Sequence, residues 1–497
     1  MNRAERLARL LRVLAAIIAE PGLNPLELAD RAGVSERTLR RDLAQLRDLG
    51  YEVAYTSGYE VQEKLNLEGR GRKHARTHRD DALLQAVAHA VETAGLWRES
   101  TGSAETAASP RRKARRTSGP RPLVLIPAGH GDADFTYATG MPLEIALYVR
   151  FKPGDDVLVV SPLEIDRARE QSRAAHKLTM AEAGFIEQGE FASWARLAAK
   201  LLRDRGIDQA RVSPRLPAGY FEELRATGID VEIDDDLFVE ERRHKTAEEA
   251  RLIRAAQEAA EAAVKEIAGH MARADIRDGL LWNDGQPLTS EWLFSRASVL
   301  LAEMGYACPD MIIAGSPENA MPHFGGEGQL RADAPVIVDI FPGGRASHYY
   351  GDLTRTLVAG QISEEVRRMH AASLQALDAG IESIRAGVPA NEVHHTVCQV
   401  LVDRGYGTTT KGYEGPDGVA KMNHSTGHGV GLEVHEEPGI RGANPKPLEA
   451  GDVITVEPGL YLMGFGGVRV EDTGMVTANG FVNFTTLTRS LDPRDYL

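Results

Sequence analysis

The chain repeats itself once after residue 241, and this repeat restricts the fold more than any other feature of its sequence. In each half, of about one hundred residues, a long helical segment and a second helical segment precede two strand-like runs. Each run carries one acidic residue, which gives the pairs Asp339 with Asp352 and Glu457 with Glu471. A duplicated unit of helices and strands predicts two similar halves around a pseudo-symmetry axis, at which the four carboxylates can converge.

Four converging carboxylates need a partner. Asp339 ends the apolar run "VIVD" and Glu457 ends "VITVE", where an isolated charge is costly to remove from water. One interpretation is that Arg355 and Arg469, which are close in sequence, neutralise the acids in ordinary ion pairs. Four acids outnumber these arginines, however, and repelling carboxylates that share a site with one imidazole suit a pair of divalent ions. Such a dinuclear site generates hydroxide at neutral pH and polarises a carbonyl.

The stretch "HSTGHGVGLEVHE", residues 424–436, supplies candidates for that imidazole. It contains His424, His428 and His435 in a Gly-rich run. Taken alone, each histidine fits a metal ligand, a substrate-handling group or a hydrogen-bonded structural residue. The stretch by itself does not separate these alternatives.

Five short motifs resemble the metal-site motifs of the creatinase, aminopeptidase P and prolidase group, whose catalytic domain has the α+β pita-bread fold. They are "DIFP", "YYGDLTRT", "HSTGHGVGLEVHE", "VEPGLY" and "GVRVED", and they follow the order expected for that group. The resemblance covers residues 120–497 and is strongest after residue 320. It implies two divalent metal ions, with manganese preferred over cobalt or zinc.

The resemblance also implies a role for each candidate residue. Asp339 would bind one metal ion, and Asp352 and Glu471 would bridge both ions. His428 and Glu457 would bind the other ion, and Glu457 would also shuttle the proton of the attacking water. The remaining candidates are His435, which would steady the tetrahedral oxyanion, His424 and His323 of "MPHF", which would face the substrate, and Arg469 and Thr354, which would support the ligands.

The sequence departs from the family pattern between the two aspartates. Asp339 and Asp352 lie thirteen positions apart, where many relatives have eleven, and "GGRASHYY" fills the longer hairpin. Both spacings are odd, so strand pairing can still direct both acids to one face. We therefore expect ligation to be retained and the hairpin tip to differ.

Residues 1–67 resemble the winged helix-turn-helix domains of bacterial transcription regulators. In "NPLELADRAG", Asn24 is a helix N-cap, Pro25 suits the first helical position and Gly33 ends the helix. The next helix, "SERTLRRDLAQLRDLG", is followed by the wing-like hairpin "YEVAYTSGYEVQE". A small helical domain for protein contacts is the alternative. The candidate DNA-binding residues, on the polar face of the second helix, are Arg37, Arg40 and Arg41.

Charge and composition divide the chain further. Residues 1–119 carry 21 Lys+Arg against 16 Asp+Glu, whereas the rest carries 37 against 56, so that only the N-terminal part suits DNA. We predict a linker at residues 68–119, with a possible helix and a basic low-complexity end. Residues 120–240 resemble the α/β creatinase-type N-domain, with buried strands in "PLVLIPAG", "DVLVVSP" and "VEIDDD". Residues 241–497 are the predicted pita-bread domain.

The composition of the chain also indicates where the protein is located and what it associates with. No run of eighteen uncharged apolar residues occurs, which argues against a membrane span. The two cysteines, Cys308 and Cys398, are too few for a disulfide framework and fit a reducing cytoplasm. We expect a homodimer, since both kinds of module commonly work in pairs.

The predicted function is hydrolysis of Xaa-Pro peptides, of the aminopeptidase P or prolidase type. His424, Arg469 and residues 120–240 favour this branch over methionine aminopeptidases. Two alternatives stay open. The peptidase-like region could be a ligand sensor of a transcription regulator, or the enzyme could be a creatinase-like amidinohydrolase.

Overall fold

The computed structural model describes residues 121–497 except positions 130, 185, 188, 189 and 192, and, before them, positions 13, 25–32, 34, 39, 43, 53–55 and 59–61. The chain forms two compact units, Met1–Arg116 and Thr117–Leu497. Each unit has buried apolar side chains of its own.

The described part of the first unit contains a helix and a hairpin. Helix α1 (Pro25–Ala32) begins at the proline that the sequence predicts for the first helical position. Strands β1 (Val53–Tyr55) and β2 (Tyr59–Val61) pair antiparallel, with Tyr55 opposite Tyr59, and form the predicted wing hairpin.

Three further described side chains of the first unit are apolar and buried: Val13, Leu39 and Leu43. Leu39 and Leu43 lie in the run predicted as the second helix. The predicted DNA-contacting residues, the predicted caps and the predicted linker lie outside the described residues: Arg37, Arg40, Arg41, Asn24, Gly33 and residues 68–119.

The second unit begins with a six-stranded mixed sheet, in the order β10-β9-β3-β4-β5-β6. A two-stranded hairpin, β7 and β8, lies outside this sheet. Helices precede and follow these strands along the chain, as an α/β region requires. The strands are β3 (Leu123–Leu125), β4 (Ala146–Lys152), β5 (Asp155–Val160), β6 (His176–Thr179), β7 (Ile186–Glu187), β8 (Glu190–Phe191), β9 (Gln209–Val212) and β10 (Asp230–Ile233). The helices are α2 (Ala133–Thr139), α3 (Ile165–Gln171), α4 (Trp194–Arg203), α5 (Ala218–Ala226) and α6 (Val239–Arg243).

One prediction for this sheet is wrong. The run "VEIDDD" forms strand β10, but the strand is mostly exposed rather than buried. Strand β10 lies at the sheet edge beside β9, so only one of its sides has a neighbouring strand. The strands of "PLVLIPAG" and "DVLVVSP" lie inside the sheet and are buried, as predicted.

The repeated region follows with two helices in each half, as the sequence predicts. They are α7 (Ala247–Arg273), α8 (Ser290–Glu303), α9 (Glu364–Ser383) and α10 (Ala390–Asp403). Helix α7 begins at a capping box, in which Thr246 and Glu249 satisfy each other's backbone N–H groups. The inward side of α7 is rich in fully buried alanines, whose small side chains let the helix pack closely on the strands of the first half.

The strands of the repeat form several small sheets. Strand β16 lies between β15 and β18 in the first half, and β23 lies between β21 and β26 in the second half. The strands are β11 (Asp275–Arg277), β12 (Leu280–Asn283), β13 (Gln286–Pro287), β14 (Tyr306–Ala307), β15 (Ile312–Gly315), β16 (Val336–Ile340), β17 (Gly343–Gly344), β18 (Leu353–Leu357), β19 (Gly407–Thr408), β20 (Lys421–Met422), β21 (Gly427–Gly429), β22 (Glu436–Ile440), β23 (Val453–Val456), β24 (Gly459–Leu462), β25 (Gly466–Arg469), β26 (Asp472–Val476) and β27 (Phe481–Asn483).

Two further observations bear on the expectations from composition. Across the described part of the chain, no helix combines the length and the apolarity needed to cross a bilayer. Cys308 and Cys398 are both buried free thiols.

Candidate metal centre

Strand register brings the four predicted carboxylates to one place in the second unit. Asp339 on β16 pairs with Thr354 on β18, and Asp352 precedes Thr354 by two positions. Side chains two positions apart share a face of a sheet, so the thirteen-residue spacing still directs both aspartates the same way. In the second half Val456 pairs with Asp472, which sets the neighbouring Glu457 and Glu471 opposite each other just beyond the paired positions.

Asp352, His428 and Glu471 converge most closely. One ligand atom from each lies within 4.8 Å of the other two. The His428 Nε2 atom is 3.5 Å from Asp352 Oδ2 and 3.5 Å from Glu457 Oε1. These distances are too long for hydrogen bonds to the carboxylates and leave space for a cation between the groups.

The orientation of His428 fits a metal ligand. Its Nδ1 atom lies 3.1 Å from the Gly429 carbonyl oxygen, which can only accept a hydrogen bond. Nδ1 therefore carries the proton, and the lone pair of Nε2 points at the carboxylates. Burial, aided by His435, lowers the pKa of His428 to about 3, so the imidazole is neutral and able to ligate at neutral pH.

The buried carboxylates have too few positively charged neighbours to balance their charge. Burial raises the pKa of Asp352 and of Glu471 well above their ordinary values, and the neighbouring acids raise both further. Burial also raises the pKa of Glu457 to about 8, although Arg469 opposes this shift. The Oδ1 atom of Asp339 is buried and has no hydrogen-bond partner among the described residues. A divalent cation would stabilise all these charged forms, so the donor set fits a metal centre.

Arg469 and Thr354 form hydrogen bonds that orient two of the carboxylates. The Arg469 Nη2 group donates to Asp339 Oδ2 at 2.6 Å, and its Nε group donates to the Thr354 hydroxyl at 3.1 Å. The Thr354 hydroxyl in turn donates to Glu471 Oε2 at 2.8 Å. One arginine and one threonine thus connect an acid of the first half with an acid of the second half.

The interpretation that two arginines neutralise the acids holds only in part. Arg469 does pair with Asp339. Arg355, although fully buried, pairs with Asp472 at 3.0 Å and donates to backbone carbonyls, including that of Glu471. Among the described residues, the four carboxylates therefore share one arginine, which leaves excess negative charge at the centre.

The three remaining predicted histidines line the same cleft. It has a volume of about 920 Å³ and also contains the carboxylates described above. His435 is exposed to the cleft and its ring meets that of His428 edge-on, with 4.2 Å between the centroids. His323 is exposed on the cleft wall, and His424 Nδ1 lies 4.0 Å from Glu457 Oε2.

Tyr461 is a functional candidate that sequence reasoning missed, although it ends the motif "VEPGLY". Its hydroxyl accepts from Arg469 Nη1 at 2.9 Å and lies 3.0 Å from His424 Nε2. His424 Nδ1 faces the Ser425 carbonyl at 2.8 Å and so carries the proton. Tyr461 therefore donates to Nε2, and a continuous chain links Asp339 through Arg469 and Tyr461 to His424. The position of Tyr461, four residues after Glu457 with alternating strand geometry, was the available signal.

A second missed residue lies behind the Gly-rich run. His394 on α10 is buried, and its two ring nitrogens share hydrogen bonds with the Thr426 and Thr410 hydroxyls at 2.9 and 2.8 Å. The Thr426 carbonyl accepts the Glu457 N–H at 2.8 Å. His394 thereby supports the segment that joins His424 to His428.

Acid is expected to destabilise the protein partly through His394. Burial lowers the pKa of this group from 6.5 to about 4, so between these values the unfolded chain binds a proton that the folded chain does not. Its contribution is complete above pH 6.5 and is lost as the pH falls towards 4. Denaturant unfolding of His394→Gln should show a smaller loss of stability between about pH 7.5 and pH 5 than the wild type shows. Equal losses would contradict this assignment.

The hairpin between Asp339 and Asp352 contacts the Gly-rich run. The Tyr350 N–H donates to the Gly431 carbonyl at 2.9 Å. Gly351 lies so close to α7 that a Cβ atom there would come within 2.5 Å of the Gln257 nitrogen. The end of this hairpin is therefore packed against the site.

Comparison with known proteins assigns the family. The model of metallopeptidase family M24 matches residues 251–478. An Xaa-Pro dipeptidase of Pyrococcus horikoshii is 32% identical over 290 residues, which cover 58% of this chain and 75% of that protein. The chain belongs to metallopeptidase family M24. An HTH domain model matches residues 9–60 of this M24 peptidase, which confirms the predicted helix-turn-helix domain.

Solved structures agree with the family. The prolidase from Pyrococcus horikoshii OT3 has a TM-score of 0.61 and 27% identity to this M24 peptidase, covering 75% of this chain and 95% of that one. The X-Pro aminopeptidase from Thermotoga maritima shares the fold with a TM-score of 0.61 at 22% identity, covering 74% and 96%. The predicted pita-bread fold is thereby confirmed for the M24 region.

Proposed function

We propose that the chain is a dinuclear-metal peptidase that hydrolyses Xaa-Pro bonds and carries a DNA-binding domain. The observation that supports it most is the convergence of Asp352, His428 and Glu471, with Asp339 and Glu457 beside them. The names of the Pyrococcus relatives, Xaa-Pro dipeptidase and prolidase, support the substrate class.

The five acidic and imidazole side chains would hold two divalent ions. Asp339 would bind one ion, His428 and Glu457 the other, and Asp352 and Glu471 both. Manganese is the preferred ion, with cobalt or zinc as alternatives. When bound, the ions supply a nucleophilic hydroxide at neutral pH and polarise the scissile carbonyl.

Glu457 is the proposed proton shuttle. One carboxylate oxygen faces His428 and the other faces His424 at 4.0 Å, so this carboxylate touches both the ligand cluster and the cleft. A carboxylate in this position can take a proton from water and pass it to the leaving nitrogen. The proline nitrogen of the scissile bond carries no hydrogen, so the leaving amine must receive this proton.

The histidines on the cleft side complete the proposed machinery. His435 would donate a hydrogen bond to the oxyanion of the tetrahedral intermediate. His424 and His323 would contact the substrate. The ring of His424 is fixed by the hydrogen bond that it donates to the Ser425 carbonyl and by the one that it accepts from the Tyr461 hydroxyl.

Tyr461→Phe should lower kcat roughly 10-fold to 100-fold, as loss of a group supporting active-site residues commonly does. The substitution leaves one Arg469 N–H and the His424 Nε2 atom without their partner. Steady-state kinetics and metal analysis would check it. Tyr496→Phe removes another buried tyrosine hydroxyl bond, to the Ser490 carbonyl, and is the matched control. Equal kinetic effects of both substitutions would contradict a role for Tyr461.

The domain division supports the same proposal. We infer a linker at residues 68–119, a creatinase-type N-domain at residues 120–240 and the catalytic domain at residues 241–497. The six-stranded sheet of residues 123–233 supports the middle assignment. A homodimer in the cytoplasm is the proposed working form.

Activity and substrate length are tested together. The purified protein would be assayed with manganese on an Xaa-Pro dipeptide, on a longer peptide with the same first two residues and on creatine, with Xaa-Ala peptides as controls. Turnover of the dipeptide alone would indicate a prolidase, and turnover of both an aminopeptidase. Turnover of creatine alone would favour the amidinohydrolase alternative, and no turnover would favour a sensor.

DNA binding is the second part of the proposal. The HTH match and the net charge of residues 1–119 support it, with Arg37, Arg40 and Arg41 as the contacting residues. Selection of bound duplexes from a random library, followed by titration at several salt concentrations, would test it. Loss of binding in the triple alanine variant is expected. If operator affinity were unchanged by an Xaa-Pro peptide and metal, coupling between the two functions would be excluded.

A further inference from the structure

A cluster of buried ion pairs lies on the cleft wall beside His435, and the proposed chemistry does not use it. We call this group the rim cluster; its members are Asp134, Arg242, Lys245, Glu433 and Glu436. The Arg242 side chain is 10% exposed, that of Glu436 is 7% exposed and that of Lys245 only 2%. Charged groups this deeply buried are costly to desolvate and seldom add net stability.

Arg242 is the centre of the rim cluster. Its Nη1 group lies 3.2 Å from Asp134 Oδ1, and its Nη2 group lies 2.7 Å from Glu433 Oε2 and also contacts Glu436. Lys245 Nζ binds the other oxygen of Glu436 at 2.6 Å. Two cations thus hold the two glutamates that flank His435 in the sequence.

The rim cluster joins distant parts of the second unit. Asp134 belongs to α2, beside the six-stranded sheet, and its Oδ2 atom accepts from the Ser213 hydroxyl at 2.7 Å. Arg215, from the loop after β9, adds a pair with Glu433 Oε1 at 2.5 Å. The region of residues 120–240 therefore reaches the His435 segment through ion pairs.

The position of the His435 ring depends on the backbone that carries it. Within the described part of the chain, no hydrogen bond to the His435 imidazole occurs, and its aromatic contact is with His428. The backbone of residues 430–436 therefore sets the ring position. The Glu436 carboxylate folds over Gly431 so closely that a Cβ atom there would lie 2.2 Å from it. Fixing Glu433 and Glu436 fixes the turn that carries His435.

We propose that Arg242 and Lys245 are positioning residues, which hold the segment of residues 430–436 so that His435 reaches the substrate carbonyl. This inference rests on the proposed function. It assigns to the middle region a role in the chemistry itself, because Asp134 and Arg215 complete the ion pairs that fix the segment.

Arg242→Met tests the proposal. We expect kcat to fall roughly 10-fold to 100-fold with little change in KM and an unchanged metal content, as for other groups that orient active-site residues. In a His435→Ala background the same substitution should have little further effect, since the group it positions is gone. Arg196→Met removes an exposed ion pair with Glu223 in the same region and should leave kcat unchanged. Equal effects of Arg242→Met in both backgrounds would overturn the proposal.

Two further measurements keep the test decisive. Lys245→Met removes one cation and leaves Arg242 in place, so it should fold even if Arg242→Met does not, and it should show a smaller loss of kcat of the same non-additive kind. Hydrogen exchange of the amides of residues 430–436 requires no substrate. Faster exchange in Arg242→Met or Lys245→Met than in Arg196→Met is expected. Unchanged exchange would sink the inference even if the proposed peptidase activity holds, and absence of Xaa-Pro turnover in the wild type would sink only the proposed function.

Discussion

Replacing Asp352 with asparagine is expected to lower turnover of an Xaa-Pro peptide by about a thousandfold or more. Asp352 converges with His428 and Glu471, with one ligand atom of each within 4.8 Å of the others, and it is 4% exposed. The polarisation that a divalent ion supplies amounts to several kcal/mol, and each 1.36 kcal/mol is a factor of ten in rate. Metal content per chain should fall together with turnover, which elemental analysis and kinetics would measure side by side.

The same substitution should have opposite effects on stability with and without metal. In the metal-free protein it removes one of several buried like charges, so the free energy of unfolding should rise. With manganese present it should fall, because the wild type gains more stability from metal binding than the variant does. Asp378→Asn removes an exposed aspartate that pairs with Arg489 outside the site and is the control. A variant destabilised equally in both conditions would argue against a metal site at Asp352.

Glu457→Gln is expected to lower kcat roughly 10²-fold to 10⁴-fold, the usual range for loss of a general acid and base. Glutamine keeps the size of the side chain and can still face His428, but it cannot carry a proton between water and the leaving nitrogen. The binding of the peptide depends on other groups, so KM should change little. Kinetics over a range of pH would reveal the loss of the ionisation that belongs to Glu457.

Glu449→Gln is the matched control for Glu457→Gln. Glu449 precedes the same strand, β23, and pairs with His244 and Arg243 away from the cleft. We expect it to leave kcat and its pH dependence unchanged. If Glu457→Gln retained more than a tenth of the wild-type kcat, the proton-shuttle role would have to be assigned to another group, and His424 would be the first candidate.

Much of the fold could be predicted because it depends on short-range patterns. The repeat after residue 241 predicted the two pairs of helices. The odd spacing of Asp339 and Asp352 predicted that both side chains lie on one face of the sheet, and the strand register agrees with this. The same patterns failed for "VEIDDD", since edge and centre positions in a sheet differ by neighbours that lie far away in the sequence. The assignment of Asp339, Asp352, His428, Glu457 and Glu471 as ligands stays a prediction.

The functional candidates that the sequence did not predict contact residues that are far away in the sequence. Arg242 meets Glu433 across 191 positions, and His394 meets Thr426 across 32. Nothing local to Arg242 distinguishes it from a solvated arginine, because its role depends on burial by another part of the chain. Tyr461 was closer to prediction, since it belongs to a quoted motif, but its hydroxyl partners Arg469 and His424 become visible only in three dimensions.

Asp352 has its backbone held by one side chain, and this limits how the sequence can drift. Gln257 Nε2 donates to the Asp352 carbonyl at 2.9 Å, while Gln257 Oε1 accepts the Asp352 N–H at 2.8 Å. The remaining amide hydrogen of Gln257 reaches the Thr485 hydroxyl at 2.9 Å. A glutamate carboxylate could not donate a hydrogen bond to the Asp352 carbonyl, and leucine could neither donate nor accept one. Only a side chain with both a donor and an acceptor therefore satisfies the Asp352 backbone from position 257. Glutamine at position 257 is thus expected wherever the backbone at position 352, 95 positions away, keeps this conformation in the candidate metal centre.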